Sequence, residues 1–475
     1  MRILLINAPL QSIVCDRGVG HQIPLGLLMI GGPLLDRGHT VRLLDAARDH
    51  LSDTEIVQRA KEFAAQLVMI AHVGSTSAHP CCLRVLQCIK AACPDILTIY
   101  GGVHPTYHDR SILAEHRQVD IIVRGEGEET VRCLVDRLVR DGLQAYDLSD
   151  LKGVSWRKQG TIERTPAPSP IQRLDNYRIG WELIEDWDKY QAFDFGRAAV
   201  VQFSRGCPHF CTYCGQWMFW KHWRHRDVQK FVDELVWLYE THAIRFFWIA
   251  DENPTTIKEV WQRVLEEIAR RKLSIGLCAS IRAQDIVRDA DILHLYKQAG
   301  FVYVLMGVEA VTDETLAKIR KESSVDDAYE AVRLLRKHQI LSIVDYIFGL
   351  ENETFRSIWR GLQGLHNYDG DFLNALYLTP HSWTPLGKQL KDAPVIESDL
   401  WRWDYRHQIL QITTLSPAQL FAAVKVVECL YHLHPHRLWR TLTASDPQIR
   451  RLLRFSFWHI TLTFWSEIVD FIFQK

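Results

Sequence analysis

The sequence predicts an α/β protein: a doubly wound, Rossmann-like N-terminal domain, then a partial (β/α)6 barrel, then a helical C-terminal cap. Three observations predict it. Short apolar runs alternate with amphipathic segments through the first third, and a second alternation begins at Ala198. Between them Thr165-Pro-Ala-Pro-Ser-Pro170 breaks regular structure, since each proline fixes φ and removes a donor. Strands alternating with helices imply parallel sheets. A chain of 475 residues is too long for one ordinary domain, and 47% hydrophobic content is ample for several cores. The expected boundaries are 1–145 for the first domain, 146–195 for a linker with a hairpin, 196–385 for the barrel and 386–475 for the helical region.

In chain order, Arg2–Asn7 reads as a buried strand and Pro24–Leu35 as a helix, its middle strained by Gly31-Gly32-Pro33. Strands follow at Thr40–Asp45, Leu67–Ala71, Ile96–Tyr100 and Asp120–Arg124, with helices around Thr54–Ala65, Leu83–Ala92 and Glu128–Asp141. Such sheets bind ligands beyond the carboxyl ends of their strands. Those ends are polar or glycine-rich here: Gly74-Ser75-Thr76-Ser77, Gly101-Gly102-Val-His104-Pro-Thr106 and Gly125-Glu126-Gly127. Gly153–Arg157 and Thr161–Arg164 fit a short hairpin. In the second alternation, Ala198–Ser204 leads into a cysteine loop. Strands are expected at Phe246–Ala250, Ser274–Ser280, Phe301–Val308, Leu341–Gly349 and Phe372–Leu378. Helices between them include Lys230–Tyr239, Ile257–Arg270, Asp289–Ala299 and Val325–Lys337. Near the C-terminus Leu453, Phe457, Ile460, Phe464, Ile468 and Phe471 recur at helical spacing, with Ser456, His459, Thr463, Ser466, Glu467 and Asp470 on the other side. Such a helix caps a core, and Trp458 and Trp465 also suit shallow contact with a membrane surface.

The net charge of −1 gives no global pull toward nucleic acid or anionic lipid. Eleven cysteines, clustered and without a signal peptide, point to a reducing cytoplasm. Cys81, Cys82, Cys88 and Cys93 read as buried thiols, since a helix would point them different ways. No apolar run reaches transmembrane length.

The motif that organises the chain is Cys207-Pro-His-Phe-Cys211-Thr-Tyr-Cys214. Thiolates hold iron–sulfur clusters, usually four to a cubane, so three leave one iron open to another ligand. A zinc site would want a fourth Cys or His, and His209 is poorly placed between two ligands. A redox pair of Cys211 and Cys214 would leave Cys207 idle. After the loop, Trp217, Phe219, Trp220 and Trp223 interleave with Lys221, His222, Arg224, His225 and Arg226. Aromatic faces with cations suit a planar tetrapyrrole, or nucleic-acid bases, or simply a buried layer under a cluster.

CxxxCxxC with Tyr213 before its last cysteine resembles the radical S-adenosylmethionine superfamily. Cys214-Gly-Gln-Trp-Met-Phe-Trp-Lys-His-Trp-Arg-His-Arg226 resembles the anaerobic magnesium-protoporphyrin IX monomethyl ester oxidative cyclase family within it. The resemblance implies a [4Fe-4S] cluster on Cys207, Cys211 and Cys214, S-adenosyl-L-methionine on its open iron, and cobalamin in the first domain. It implies oxygen-independent closure of the isocyclic ring of protochlorophyllide. A cobalamin-dependent methylase is the rival within the same chemistry; a zinc-binding structural or nucleic-acid-binding protein is the rival outside it. S-adenosylmethionine would then meet Tyr213, Gly215, Glu252, Ser280, Arg282 and Glu309, with Arg282 suited to pair with a carboxylate. Gly349-Leu-Glu-Asn-Glu-Thr354 resembles the superfamily's Gly-Leu-Pro-Gly-Glu-Thr turn, with Glu351 and Asn352 in place of proline and glycine. Cobalamin would meet Ser75, Thr76, Gly101, Gly102, His104 and Glu126. The DxHxxG motif that supplies a histidine to cobalt is absent, so His104 is not assigned to the metal. Trp217, Trp220, Trp223, Arg224 and His381 would contact a tetrapyrrole substrate. A flavodoxin or ferredoxin would supply electrons.

Overall fold

A computed structural model describes residues 1–10, 20–72, 76–143 and 146–473, so Ser75 lies outside the described residues. The chain divides into two compact units, the described parts of residues 1–11, 23–187 and 399–404, and of 12–22, 188–398 and 405–475.

The first unit is built on strands β1 (Arg2–Asn7), β2 (Thr40–Asp45), β3 (Leu67–His72), β4 (Leu97–Gly102), β5 (Ile121–Val123), β6 (Val154–Lys158) and β7 (Thr161–Arg164). They form one sheet in the order β2-β1-β3-β4-β5-β6-β7. The first five pair in parallel, and the β6–β7 hairpin adds to β5 antiparallel. The order reverses between β1 and β3, which opens a crevice at their carboxyl ends. Ile3 to Ile6 and Leu67 to Ile70 are buried, as a doubly covered parallel sheet requires. The helix Leu25–Asp36 runs unbroken through Pro33. Its two glycines serve a close approach. A side chain on Gly31 would meet Leu183 at 2.3 Å, and one on Gly32 would meet the Arg178 carbonyl at 2.1 Å. Gly180 N–H donates to Leu28 O at 2.9 Å across this contact. Cys81 and Cys82 are buried, as their apolar setting demands, while Cys88 and Cys93 are half-buried.

The second unit carries β8 (Ala198–Val201), β9 (Ser204–Arg205), β10 (Arg224–His225), β11 (Phe246–Ile249), β12 (Gly276–Ser280), β13 (Phe301–Glu309), β14 (Leu341–Phe348) and β15 (Phe372–Tyr377). Six of them form an all-parallel sheet in the order β15-β14-β13-β12-β11-β8. Across the sheet these six stand in their order along the chain, the arrangement of a partial barrel. β9 pairs antiparallel with β10 in a separate two-stranded ladder.

The helix Pro447–Phe473 closes the end where the strands begin. Ile449, Leu452 and Leu453 join a core with Phe246, Leu341 and Phe372, the first residues of β11, β14 and β15. Chemistry in parallel barrels gathers at the opposite, carboxyl end. The polar side expected on this helix is partly internal. Ser456 and Glu467 are buried, because Ser456 Oγ lies 2.9 Å from Tyr303 OH and Glu467 pairs with Lys425 and with Arg406 at 3.5 Å. The exposed face carries Trp458, Trp465, Val469 and Ile472 instead. Among the described residues, no helix is long and apolar enough to cross a membrane.

Lys425 is buried between Glu428 (2.5 Å) and Glu467. Lys425→Met should leave half-buried Glu428 without this partner and buried Glu467 with the longer Arg406 contact, and should destabilise the protein by about 3 kcal/mol. Chemical denaturation of the two proteins measures that difference.

Candidate active site

The chain leaves β8 and turns into the cysteine loop because Asp251, just past β11, accepts hydrogen bonds from Phe203 N at 2.8 Å and from the Ser204 N–H and hydroxyl. The expected strand 198–204 is therefore split, with Gln202 and Phe203 between β8 and β9. Burial pushes the Asp251 carboxyl up to about 7, against the pull of those donors. Its neighbour Glu252 is also raised to about 7, by burial and then by Asp251. Glu252 acts electrostatically on both Cys207 and Cys214. The two adjacent carboxylates thus divide the work: Asp251 anchors the loop and Glu252 faces the thiols.

Burial raises all three thiols, Cys207 to about 11 and Cys214 to about 12. Two cations oppose this at Cys211, Lys321 and Arg282. Among the described residues no three His, Cys, Asp or Glu side chains converge on a single-ion position. A cubane does not ask them to, since each thiolate binds a different iron. Three thiols in one loop, Cys211 buried and Cys207 and Cys214 half-buried, with two cations to favour the thiolate and a carboxylate beside them, fit such a cluster.

Tyr213 OH donates to Glu309 Oε1 at 2.8 Å, and Lys321 Nζ sits 2.7 Å from the same oxygen. Glu309 is thus occupied by protein partners, and it holds φ = +63° where β13 shifts register against β14. Arg282 is also engaged. Its guanidinium contacts His209 Nε2 and donates to the carbonyls of Lys321 (2.8 Å) and Glu322 (2.7 Å). Ser280 is exposed at the carboxyl end of β12. Gly215 lies under Trp383, where a Cβ would come within 2.4 Å of Nε1. His381 stacks on Trp383 (4.6 Å, 8°) and its Nε2 is 2.7 Å from Tyr405 OH. Tyr405 keeps 36% of its surface exposed, and burial of its hydroxyl, then the charges of Cys214 and Glu252, raise that hydroxyl. Those charges put its hydroxyl within electrostatic reach of Cys214 and Glu252. Nothing in the sequence marked it.

The tryptophans form a collar tied to main chain. Trp217 Nε1 donates to Cys211 O at 3.1 Å and Trp223 Nε1 to Asn253 O at 2.9 Å. Trp220 lies under the Arg205 guanidinium, 5.2 Å from the ring centre. Arg224 is buried and donates to Trp220 O and His222 O, and Arg226 pairs with Glu234 at 2.9 Å. These guanidiniums brace the fold of the segment, a role that the sequence pattern did not separate from substrate binding. In the turn 349–354, Asn352 takes φ = +62°. Asparagine tolerates the left-handed region that glycine usually fills, so its replacement of glycine there is conformationally sound.

In the first unit, Gly101 and Gly102 end β4. Gly102 has φ = +112°, and a Cβ there would meet His72 O at 3.2 Å. A side chain on Gly101 would meet nothing closer than 3.7 Å. His104 is buried, stacked between His79 (4.3 Å) and His108 (4.5 Å), with Nδ1 3.3 Å from Thr76 Oγ1. Glu126 is buried beyond β5.

Comparison with known proteins fits this geometry. Residues 201–363 match the Radical SAM superfamily and residues 12–135 the B12 binding domain. A radical S-adenosylmethionine methyltransferase of Kitasatospora setae, solved with cobalamin and a [4Fe-4S] cluster bound, shares the fold. Its TM-score is 0.73 at 16% identity, covering 97% of this chain and 99% of that one. This is a cobalamin-binding radical S-adenosylmethionine enzyme, whose cofactors are a [4Fe-4S] cluster, S-adenosylmethionine and cobalamin. A protein named anaerobic magnesium-protoporphyrin IX monomethyl ester cyclase, from Synechocystis sp., is 46% identical over 95% of this chain and 89% of its own length. One of the same name from Rubrivivax gelatinosus is 32% identical over 82% of this chain and 70% of its own. The chain belongs to that cyclase family. A hopanoid C-3 methylase of Methylococcus capsulatus is more distant, at 24% identity over 86% of this chain and 77% of its own.

Glu353 in the 349–354 turn accepts from Gly349 N at 2.7 Å, and burial raises its carboxyl from 4.5 to about 7. A raised folded-state value means that this group's stabilisation is full below about pH 4.5 and lost as pH rises through about 7. Glu353→Gln should therefore gain stability relative to the parent across that window. Denaturation at several pH values checks it; a constant gap would contradict the assignment.

Proposed function

We propose that the protein closes the isocyclic ring of magnesium-protoporphyrin IX monomethyl ester without dioxygen, oxidising the esterified propionate side chain and joining it to the macrocycle. The observation that carries this reading is the 46% identity to a cyclase over nearly the whole chain. When bound, the reduced cluster and S-adenosylmethionine supply a 5′-deoxyadenosyl radical, with cobalamin as a further redox centre and a flavodoxin or ferredoxin as the electron source. Cys207, Cys211 and Cys214 hold the cluster in this reading, and Glu252 meets the S-adenosylmethionine ammonium from beside Cys207 and Cys214. Gly215 and Ser280 border that ligand, Tyr213 and Glu309 buttress it, and Arg282 steadies the loop. In the first unit Thr76, Gly101, Gly102, His104 and Glu126, together with Ser75, border cobalamin. Positive φ at Gly102 lets backbone approach the ligand there.

The macrocycle would stack against the exposed edges of Trp217, Trp220 and Trp223. His381 and Tyr405, joined by their hydrogen bond, would take a proton from the water that becomes the keto oxygen. The proton would leave water for Tyr405 as the Tyr405 proton passes to His381 Nε2. Anaerobic turnover in oxygen-labelled water tests the reading. Label in a new ring ketone is expected; a product that gains a methyl group and no label would make this a methylase, as the more distant relatives are named. Replacing any one of the three cysteines by Ala should abolish 5′-deoxyadenosine formation and most of the cluster's visible absorbance. Gly102→Val should lower cobalamin uptake by the full chain more than Gly101→Val does, because only the former combines bulk with a strained φ.

We also propose peripheral membrane contact through Trp458, Trp465, Val469 and Ile472, which share one exposed side of the helix Pro447–Phe473. Co-sedimentation with anionic vesicles should fall when Trp465 and Ile472 are both changed to Ser. Equal sedimentation of the two proteins would end that reading.

A further inference from the structure

The cysteine loop is gripped by a segment that holds none of the ligands. Thr212, between Cys211 and Tyr213, donates its N–H (2.9 Å) and its hydroxyl (3.3 Å) to one acceptor, Ile319 O. His209, between Cys207 and Cys211, places Nδ1 2.7 Å from Glu322 Oε2, while its Nε2 faces the Arg282 guanidinium. Arg282 can only donate, so Nε2 accepts and Nδ1 carries the proton toward Glu322. Arg282 closes the circuit on the carbonyls of Lys321 and Glu322. Lys321 Nζ meets Glu309 Oε1 (2.7 Å) and Tyr213 OH (3.3 Å), inside a space left by Gly307. A side chain on Gly307 would lie 2.2 Å from Glu309 Oε1 and 2.6 Å from Lys321 Nζ.

This segment is also strained. Arg320 (φ +52°) and Glu322 (φ +50°) both sit in the left-handed region, on either side of Lys321, and neither is glycine. Each costs about 1–2 kcal/mol, and such conformations persist where surroundings enforce them, which is most often at functional sites. Lys321 keeps only 8% of its surface exposed. The chain thus bends twice, against its preference, to bury an ammonium beside Cys211.

We propose that segment 319–322 is the non-ligand half of the cluster site: Thr212, His209 and Tyr213 hang the cysteine loop on it, and Lys321 and Glu309 set the potential of the cluster. Reduction adds negative charge to the cluster, so the Lys321 ammonium favours the reduced form and the Glu309 carboxylate opposes it. The two side chains are positioning and electrostatic residues, not ligands. The inference needs only the cluster, so it stands whichever product the enzyme makes.

The test is a redox titration of the reconstituted full-length protein, followed by its electron spin resonance signal, with iron content measured alongside. At parental iron content, Lys321→Met should cut the reduced fraction at fixed potential about tenfold, a downward shift of about 59 mV for one electron. Glu309→Gln should shift it upward, and Lys321→Arg should restore the parental value. Unchanged midpoints, or shifts of one sign in both, would overturn the electrostatic half. Should Lys321→Met take up no iron, Glu309→Gln decides alone, rising if the charge matters and staying at the parental value if it does not. The hanging half is read from iron loss to a chelator. His209→Ala should lose iron several-fold faster, and His209→Gln, whose amide can bridge the same partners, should lose it near the parental rate. Equal rates for His209→Ala and the parent would overturn it.

Discussion

One buried carboxylate shapes the second unit. Asp251 takes the main-chain N–H groups of Phe203 and Ser204 that would otherwise continue strand β8, and so turns the chain out of the sheet. The turn delivers Gly206 at φ +92°, where a side chain would lie 2.4 Å from His222 O, and then the three cysteines. Buried donors without acceptors cost about 1–3 kcal/mol each, so the loop could not leave the sheet here without this acceptor. The same residue places Glu252 next in the chain, and with it the carboxylate closest in function to the thiols. Loop geometry and site electrostatics therefore have one source.

The barrel divides its labour by end. Where the strands begin, the helix Pro447–Phe473 covers Phe246, Leu341 and Phe372. Where they finish and in the segments beyond, burial has moved carboxylates and a tyrosine from their ordinary protonation behaviour: Glu252, Glu353 and Tyr405. Shifted groups gather where a fold tolerates desolvated charge for chemistry. Asp345, raised to about 6 by burial and by Glu309, is tied through Asn374 (2.7 Å) to Arg406 (2.9 Å) and so to Glu467. The C-terminal helix thus adds charge partners as well as apolar cover.

Much of the fold was legible because parallel strands buried on both faces read as continuous apolar runs; β1 matches the run that announces it residue for residue, and β3 to within one residue. The helix Val103–Glu115 was not, since its start reads as a Gly-Gly turn and its His108 breaks helical geometry, leaving no clear apolar stripe. Ser456 and Glu467 were placed on the solvent side because their partners, Tyr303, Lys425 and Arg406, are remote in sequence and periodicity cannot see them. The cysteines were legible from spacing alone. Arg282 and Arg224 were legible as functional cations but not as loop braces, since a guanidinium serves a carbonyl as readily as a carboxylate. Lys321 gave no signal at all: its placement comes from two left-handed residues that no glycine announces.

The central claim is that three cysteine ligands leave one iron for S-adenosylmethionine. Double-resonance spectroscopy of the reduced cluster, with S-adenosylmethionine isotopically labelled at the amino nitrogen and the carboxylate oxygens, tests it most directly. The account predicts magnetic coupling from both labelled positions to the cluster. A reconstituted cluster that binds S-adenosylmethionine and shows coupling from neither would contradict it.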